Sequence, residues 1–178
     1  MVDLRLLVGL SFRIGYHRAD NFTGAPLPGY GAPGAWLVAP AAGALVAALA
    51  ELRRDGLGLC VFDAYRPLRA ARAMAAHCRA GGLEHLLDGW VSEDSRHCRG
   101  VSVDVALAGP GGQPLDHGTP WDAFVPESRY GGVGGEPFAR RRRLRRAMVT
   151  AGFDPYGGEW WHFELPLDPL PPPLDLPY

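Results

Sequence analysis

Ser95-Arg96-His97-Cys98-Arg99-Gly100-Val101-Ser102-Val103-Asp104-Val105-Ala106 is the stretch from which the fold is best read. Val101, Val103 and Val105 alternate with Ser102, Asp104 and Ala106, the period-2 pattern of a β-strand. Asp104 therefore points to the face opposite the valines, which is either a solvent face or the floor of a cleft. Gly100 stands between His97 and this strand. Glycine permits the bend by which a His in a loop and an Asp in the next strand converge on one point.

Upstream, Leu57 to Phe62 reads as a buried strand ending in Asp63-Ala64-Tyr65-Arg66-Pro67, and the proline opens a helix over roughly 68–80. An Ala/Leu-rich amphipathic helix is expected from Pro40 to Leu52-Arg53-Arg54, stopped by Gly56. Met1 to Leu10 is read as the first strand. Residues 11–39, rich in Gly, Pro and aromatics, form a long loop whose length and aromatic content favour a functional role. Downstream, a helix is expected from about Pro137 to Ala151 and a last strand around Trp161, His162 and Phe163. A proline-dominated tail over 165–178 should lie extended on the surface. Helices and strands interleave irregularly, with too few βαβ units for a parallel sheet. The expected class is thus α+β, with a mainly antiparallel central sheet flanked by helices. At 178 residues the chain fits one domain, 1–178.

The formal charge of −1 argues against a general nucleic-acid or anionic-membrane partner. The run Arg140 to Arg143 with Arg145 and Arg146 spreads around a helix, leaving Leu144, Ala147 and Met148 to the core, so it is read as a solvated face. No apolar run reaches the ~18–20 residues of a membrane span, and the short N-terminal apolar run lacks the features of a signal peptide. Cys60, Cys78 and Cys98 look like reduced thiols. Together these give the expectation of a soluble, cytoplasmic protein, with its oligomeric state left open.

His162, in Gly158-Glu159-Trp160-Trp161-His162, completes a chemical set with His97 and Asp104. Singly, each residue has a plain explanation: a His beside tryptophans packs in a core, and an Asp in a strand sits at a surface. Together, two imidazoles and a carboxylate match a catalytic zinc, which keeps a fourth position for water, and Glu159 can take a proton from that water. In a straight strand residues three apart face opposite ways, so Glu159 and His162 must straddle a bend, which Gly157-Gly158 can supply. Arg66, fixed by Pro67 at a strand end, is a candidate for stabilising an oxyanion.

Over nearly its whole length the chain resembles the D-alanyl-D-alanine dipeptidases, a branch of the zinc D,D-peptidases with a hedgehog/D,D-peptidase-like fold. The resemblance rests on Asn21-Phe22-Thr23-Gly24, Phe62-Asp63-Ala64-Tyr65-Arg66-Pro67, the segment from Ser95 to Asp104, and Glu159-Trp160-Trp161-His162-Phe163. It implies that His97, Asp104 and His162 hold one zinc, that Glu159 is the general base, and that Arg66 stabilises the transition state. It further implies that Ser95 lines the dipeptide site and that Asp122 receives the substrate's ammonium. A site reading both termini of a free dipeptide would be closed at both ends, rejecting longer peptidoglycan stems. Cys98, His117, Ser128-Arg129-Tyr130 and His17 depart from the family's usual residues. Of these, His17, Cys98 and His117, with Trp36, are expected in segments around the pocket, where they would bear on which dipeptide is accepted. Rival readings are a zinc D,D-carboxypeptidase or endopeptidase, a dipeptidase recruited to another small dipeptide or amide, and a non-catalytic zinc-dependent binding module. The physiological role, whether antibiotic resistance, cell-wall turnover, D-alanine salvage or a biosynthetic step, is open at this level.

Overall fold

The computed structural model describes all 178 residues. In chain order the elements are β1 (Val2–Asp3), β2 (Leu10–Phe12), β3 (Trp36–Leu37), α1 (Ala39–Arg53), β4 (Gly58–Asp63), α2 (Leu68–Ala80), β5 (Ser102–Ala108), α3 (Gly135–Thr150), β6 (Asp154–Pro155) and β7 (His162–Glu164). One sheet has the strand order β2-β4-β5-β7-β6, and β1 and β3 form a separate antiparallel pair. The α+β class and the three helices agree with the sequence reading. The sheet is mixed, however: β4–β5, β5–β7 and β6–β7 are antiparallel, but β2 runs parallel to β4. The parallel edge arises because the chain leaves β2 and returns only after a crossover that contains α1, which restores its direction.

The expected first strand is also broken up. Asp3 accepts a hydrogen bond from the Arg5 backbone and caps a 3₁₀ turn over Leu4–Leu6, and Gly9, at φ 92°, redirects the chain so that β2 starts only at Leu10. Leu6 and Val8, 81% and 86% exposed, are surface residues rather than strand core.

β5 is the centre of the molecule, and all seven of its residues are buried. Its valines enter the apolar core with Leu59, Val61, Leu144 and Phe163, while Ser102 and Asp104 are its buried polar side chains. α1 buries Ala41, Ala42, Leu45, Ala48, Leu49 and Leu52, a stripe at helical spacing. α3 turns Leu144, Ala147 and Met148 inward as expected, but Arg141 is buried with them, so the arginine run is not wholly a solvated face. Arg143 bridges to Glu51 and Asp55 near the end of α1.

The tail has no regular structure and is nonetheless tied down. Leu174 accepts from Leu68 N and donates to Cys98 O, and Tyr178 packs on Trp36, Tyr30 and Tyr65 while its hydroxyl donates to Tyr65 O. No helix is long and apolar enough to cross a membrane.

Candidate metal centre and substrate cleft

Asp104 and His162 are direct partners across the β5–β7 ladder, so their side chains emerge on one face side by side. His97 joins them from a 3₁₀ turn, Arg96–Arg99, that runs into β5. Gly100 ends that turn in the left-handed region, φ 66°, and its N–H closes on His97 O. The bend expected of Gly100 is present. On β4 a bulge between Val61 and Asp63 shifts the register so that Asp63 stands opposite Asp104.

His97 Nε2, His162 Nδ1 and Asp104 Oδ1 form a triangle with edges of 3.1, 3.1 and 3.2 Å. Hydrogen bonding alone does not satisfy it. His97 Nδ1 lies 2.6 Å from Ala64 O and must donate there, which leaves Nε2 with a lone pair when the ring is neutral. Neutral His162 then has at most one proton to place among three electron-rich atoms. A cation inside the triangle satisfies all three, since ligands at ~2.0–2.1 Å from a tetrahedral zinc stand about 3.3–3.4 Å apart. The residues present therefore fit such an ion. Although burial works against it, the neighbouring His97 and His162 hold the Asp104 carboxyl well below the usual carboxylate range.

Glu159 lies in the connection between β6 and β7, immediately after Gly157-Gly158, with Oε2 3.9 Å from His162 Nδ1. It is off the strand that carries His162, as the spacing argument required. Burial, reinforced by the Asp104 charge, pushes its carboxyl well above the ordinary range.

Arg66 follows β4 and is buried, with Nε and Nη2 on Asp63 Oδ2 at 3.0 and 2.9 Å and its guanidinium 4.9 Å from the centre of the Tyr16 ring. Asp63 also accepts from Tyr30 OH at 2.6 Å. These bonds fix the guanidinium beside the cluster and leave Nη1 without a protein partner.

These groups share one cleft, lined also by Tyr16, Trp90, Ser95, Asp122, Phe124 and Tyr156. The cleft encloses about 190 Å³, below the roughly 300–1,000 Å³ of sites for drug-sized ligands, which suits a ligand of dipeptide size. Ser95 Oγ accepts from His97 N and caps the turn that carries the ligand. Asp122, itself in the left-handed region at φ 66°, accepts from Tyr16 OH at 2.6 Å and from Phe22 N at 3.3 Å. Phe22 belongs to the Asn-Phe-Thr-Gly segment, which thus reaches the cleft by holding Asp122. Burial pushes the Asp122 carboxyl up to about 7, and the Tyr16 hydroxyl restrains it.

Every candidate site residue is brought to this cleft. The divergent residues are not: none of His17, Trp36, Cys98 and His117 lines it. His17 Nδ1 contacts Tyr30 O, Trp36 packs on Tyr65 and Tyr178, Cys98 is buried beneath its turn, and His117 stacks on Trp160. Ser128 is buried and Tyr130 faces α3, where Arg145 lies over its ring. Sequence reasoning missed Tyr16, Asp63 and Trp121, whose indole N–H donates to Asp104 Oδ2 at 3.1 Å. Only Asp63 left a trace in the sequence, as an acid three residues before Arg66 at a strand end.

A cleft holding a three-donor cluster, a buried carboxyl and a fixed arginine defines a metal-dependent hydrolase. The chain belongs to the D-Ala-D-Ala dipeptidase family, whose model matches residues 1–175. Its relatives include the D-alanyl-D-alanine dipeptidases of Escherichia coli K12, 32% identical with 93% of this chain and 84% of the relative covered, and of Streptomyces coelicolor, 33% identical with 93% and 91% covered. That of Enterococcus faecium is 29% identical over 92% of this chain and 89% of its own length.

Proposed function

We propose that the whole chain is one catalytic domain that hydrolyses the free dipeptide D-Ala-D-Ala to D-alanine, with a single zinc held by His97, Asp104 and His162. The observation that carries this reading is the 3.1–3.2 Å donor triangle with the Glu159 carboxylate beside it in a dipeptide-sized cleft. Zinc bound there supplies Lewis acidity, activating water near neutral pH and polarising the peptide carbonyl. Glu159 takes the proton of the attacking water and delivers it to the amine nitrogen as the C–N bond breaks. Arg66 directs its free Nη1 to the developing oxyanion. Asp122, restrained by Tyr16 and Phe22, receives the substrate's ammonium, and Ser95 lines the same cleft as part of the dipeptide subsite. Recognition of a free ammonium by Asp122 would exclude longer stems, in which that nitrogen is acylated. Three buried cysteines without disulfides are consistent with a reducing, cytoplasmic setting.

Metal analysis joined to a substrate panel tests the proposal. One zinc per chain and turnover of D-Ala-D-Ala, with none of a stem pentapeptide, is the expected result. Turnover of the pentapeptide would instead make the protein a carboxypeptidase. Stoichiometric zinc without turnover of any dipeptide would make it a binding module.

A further inference from the structure

Arg141 is 1% exposed and has no carboxylate partner. A buried guanidinium is costly unless its donors are satisfied, and here backbone carbonyls satisfy them. Nε donates to His117 O at 2.7 Å, and Nη1 donates to Glu127 O at 2.9 Å and to Arg129 O at 2.7 Å. These carbonyls bracket the segment from His117 to Arg129 within the loop between β5 and α3, and Trp121-Asp122 lies between them. Within the loop, Ser128 Oγ donates to Ala123 O at 2.5 Å and lies 2.9 Å from Thr119 Oγ1, which also accepts from Trp160 Nε1 at 2.9 Å. Apart from a 3₁₀ turn at Pro126–Ser128, the loop has no regular structure to hold its shape.

We infer that Arg141 is a positioning residue for substrate recognition: it braces the loop on both sides of Asp122 and thereby sets where Asp122 stands for the substrate's ammonium. The inference rests on the proposed role of Asp122. Lysine cannot replace the brace, because a single ammonium cannot fork to carbonyls on two sides.

The test compares D-Ala-D-Ala with its analogue bearing a hydroxyl in place of the α-ammonium, in wild type, Asp122→Asn, Arg141→Lys and Ser128→Ala, with bound zinc measured in each. Wild type should prefer the ammonium substrate, and Asp122→Asn should shrink that preference by about tenfold or more. Arg141→Lys should shrink it several-fold through a raised KM for D-Ala-D-Ala, with kcat and the KM of the hydroxyl analogue little changed in zinc-replete protein. Ser128→Ala, the milder lesion, should move the ratio the same way and carries the test if Arg141→Lys does not fold. A ratio unmoved in both variants while Asp122→Asn moves it overturns the brace alone. A ratio unmoved in Asp122→Asn overturns the ammonium assignment, and the inference with it.

Discussion

The two halves of the cleft are held in different ways. At the metal end, Asp104 and His162 stand opposite each other on hydrogen-bonded strands, and His97 is locked by its bond to Ala64 O. The backbone ladder itself sets their separation. At the amine end, Asp122 sits in an irregular loop with a left-handed backbone, held by the Tyr16 hydroxyl, the Phe22 N–H and the bracing side chains of Arg141, Thr119 and Ser128. A site on strands inherits precision from the sheet, whereas a site on a loop must obtain it from side-chain hydrogen bonds. Metal chemistry can reside in the first and substrate choice in the second, with the Trp121 indole on Asp104 as the direct hydrogen bond between them.

Arg66→Met should break the comparison most severely. It removes the proposed oxyanion donor and should lower kcat by about 10²–10³ with the metal retained. It also leaves Asp63 buried without its cation, so a drop of roughly 3–5 kcal/mol in unfolding free energy should accompany it. Kinetics on metal-replete protein with urea titration separate the two effects, and an unchanged kcat would remove Arg66 from the mechanism.

Trp121→Phe probes the single hydrogen bond between the two ends, from the loop's indole to the Asp104 carboxylate. Metal affinity should fall by about 10–100-fold, measured by competition with a chelator. A change confined to KM would place Trp121 with the amine end alone.

A smaller, pH-dependent effect belongs to the amine end. Because burial pushes the Asp122 carboxyl up to about 7 in the free enzyme, it is ionised above that pH and increasingly neutral below it. The neutral form offers no charge to an ammonium. KM for D-Ala-D-Ala should therefore rise as pH falls through about 7, up to about tenfold per unit well below it. In Tyr16→Phe, which removes the bond that restrains this carboxyl, the rise should begin at higher pH. Asp122→Asn should lack this limb.

The same contrast explains what could be read from the sequence. Strand alternation around Asp104, the prolines opening α1 and α2, and Gly100 at its bend are local patterns, and they located those elements and the metal-end residues. Glu159 could be placed off the strand from spacing alone. The parallel β2–β4 edge escaped because pairing direction depends on a crossover of more than forty residues rather than on any local pattern. The split of the first strand escaped because a cap at Asp3 and a turn at Gly9 outweighed an apolar run. Tyr16, Trp121 and Arg141 escaped because each acts on a partner distant in sequence: Tyr16 on Asp122, Trp121 on Asp104, and Arg141 on the loop that carries both Trp121 and Asp122. His117 and Trp36 were expected near the pocket by segment and prove to be packing residues, since proximity in sequence does not fix which way a side chain points.

The most direct measurement is bound zinc together with D-Ala-D-Ala turnover in Glu159→Gln. The carboxamide keeps the shape of the cleft and is not one of the three donors, so zinc should remain at one per chain while kcat falls by about 10²–10⁴ with loss of the proton acceptor. Wild-type turnover in this variant, or loss of its zinc, would contradict the assignment of Glu159 as the base beside a His97, Asp104 and His162 metal centre.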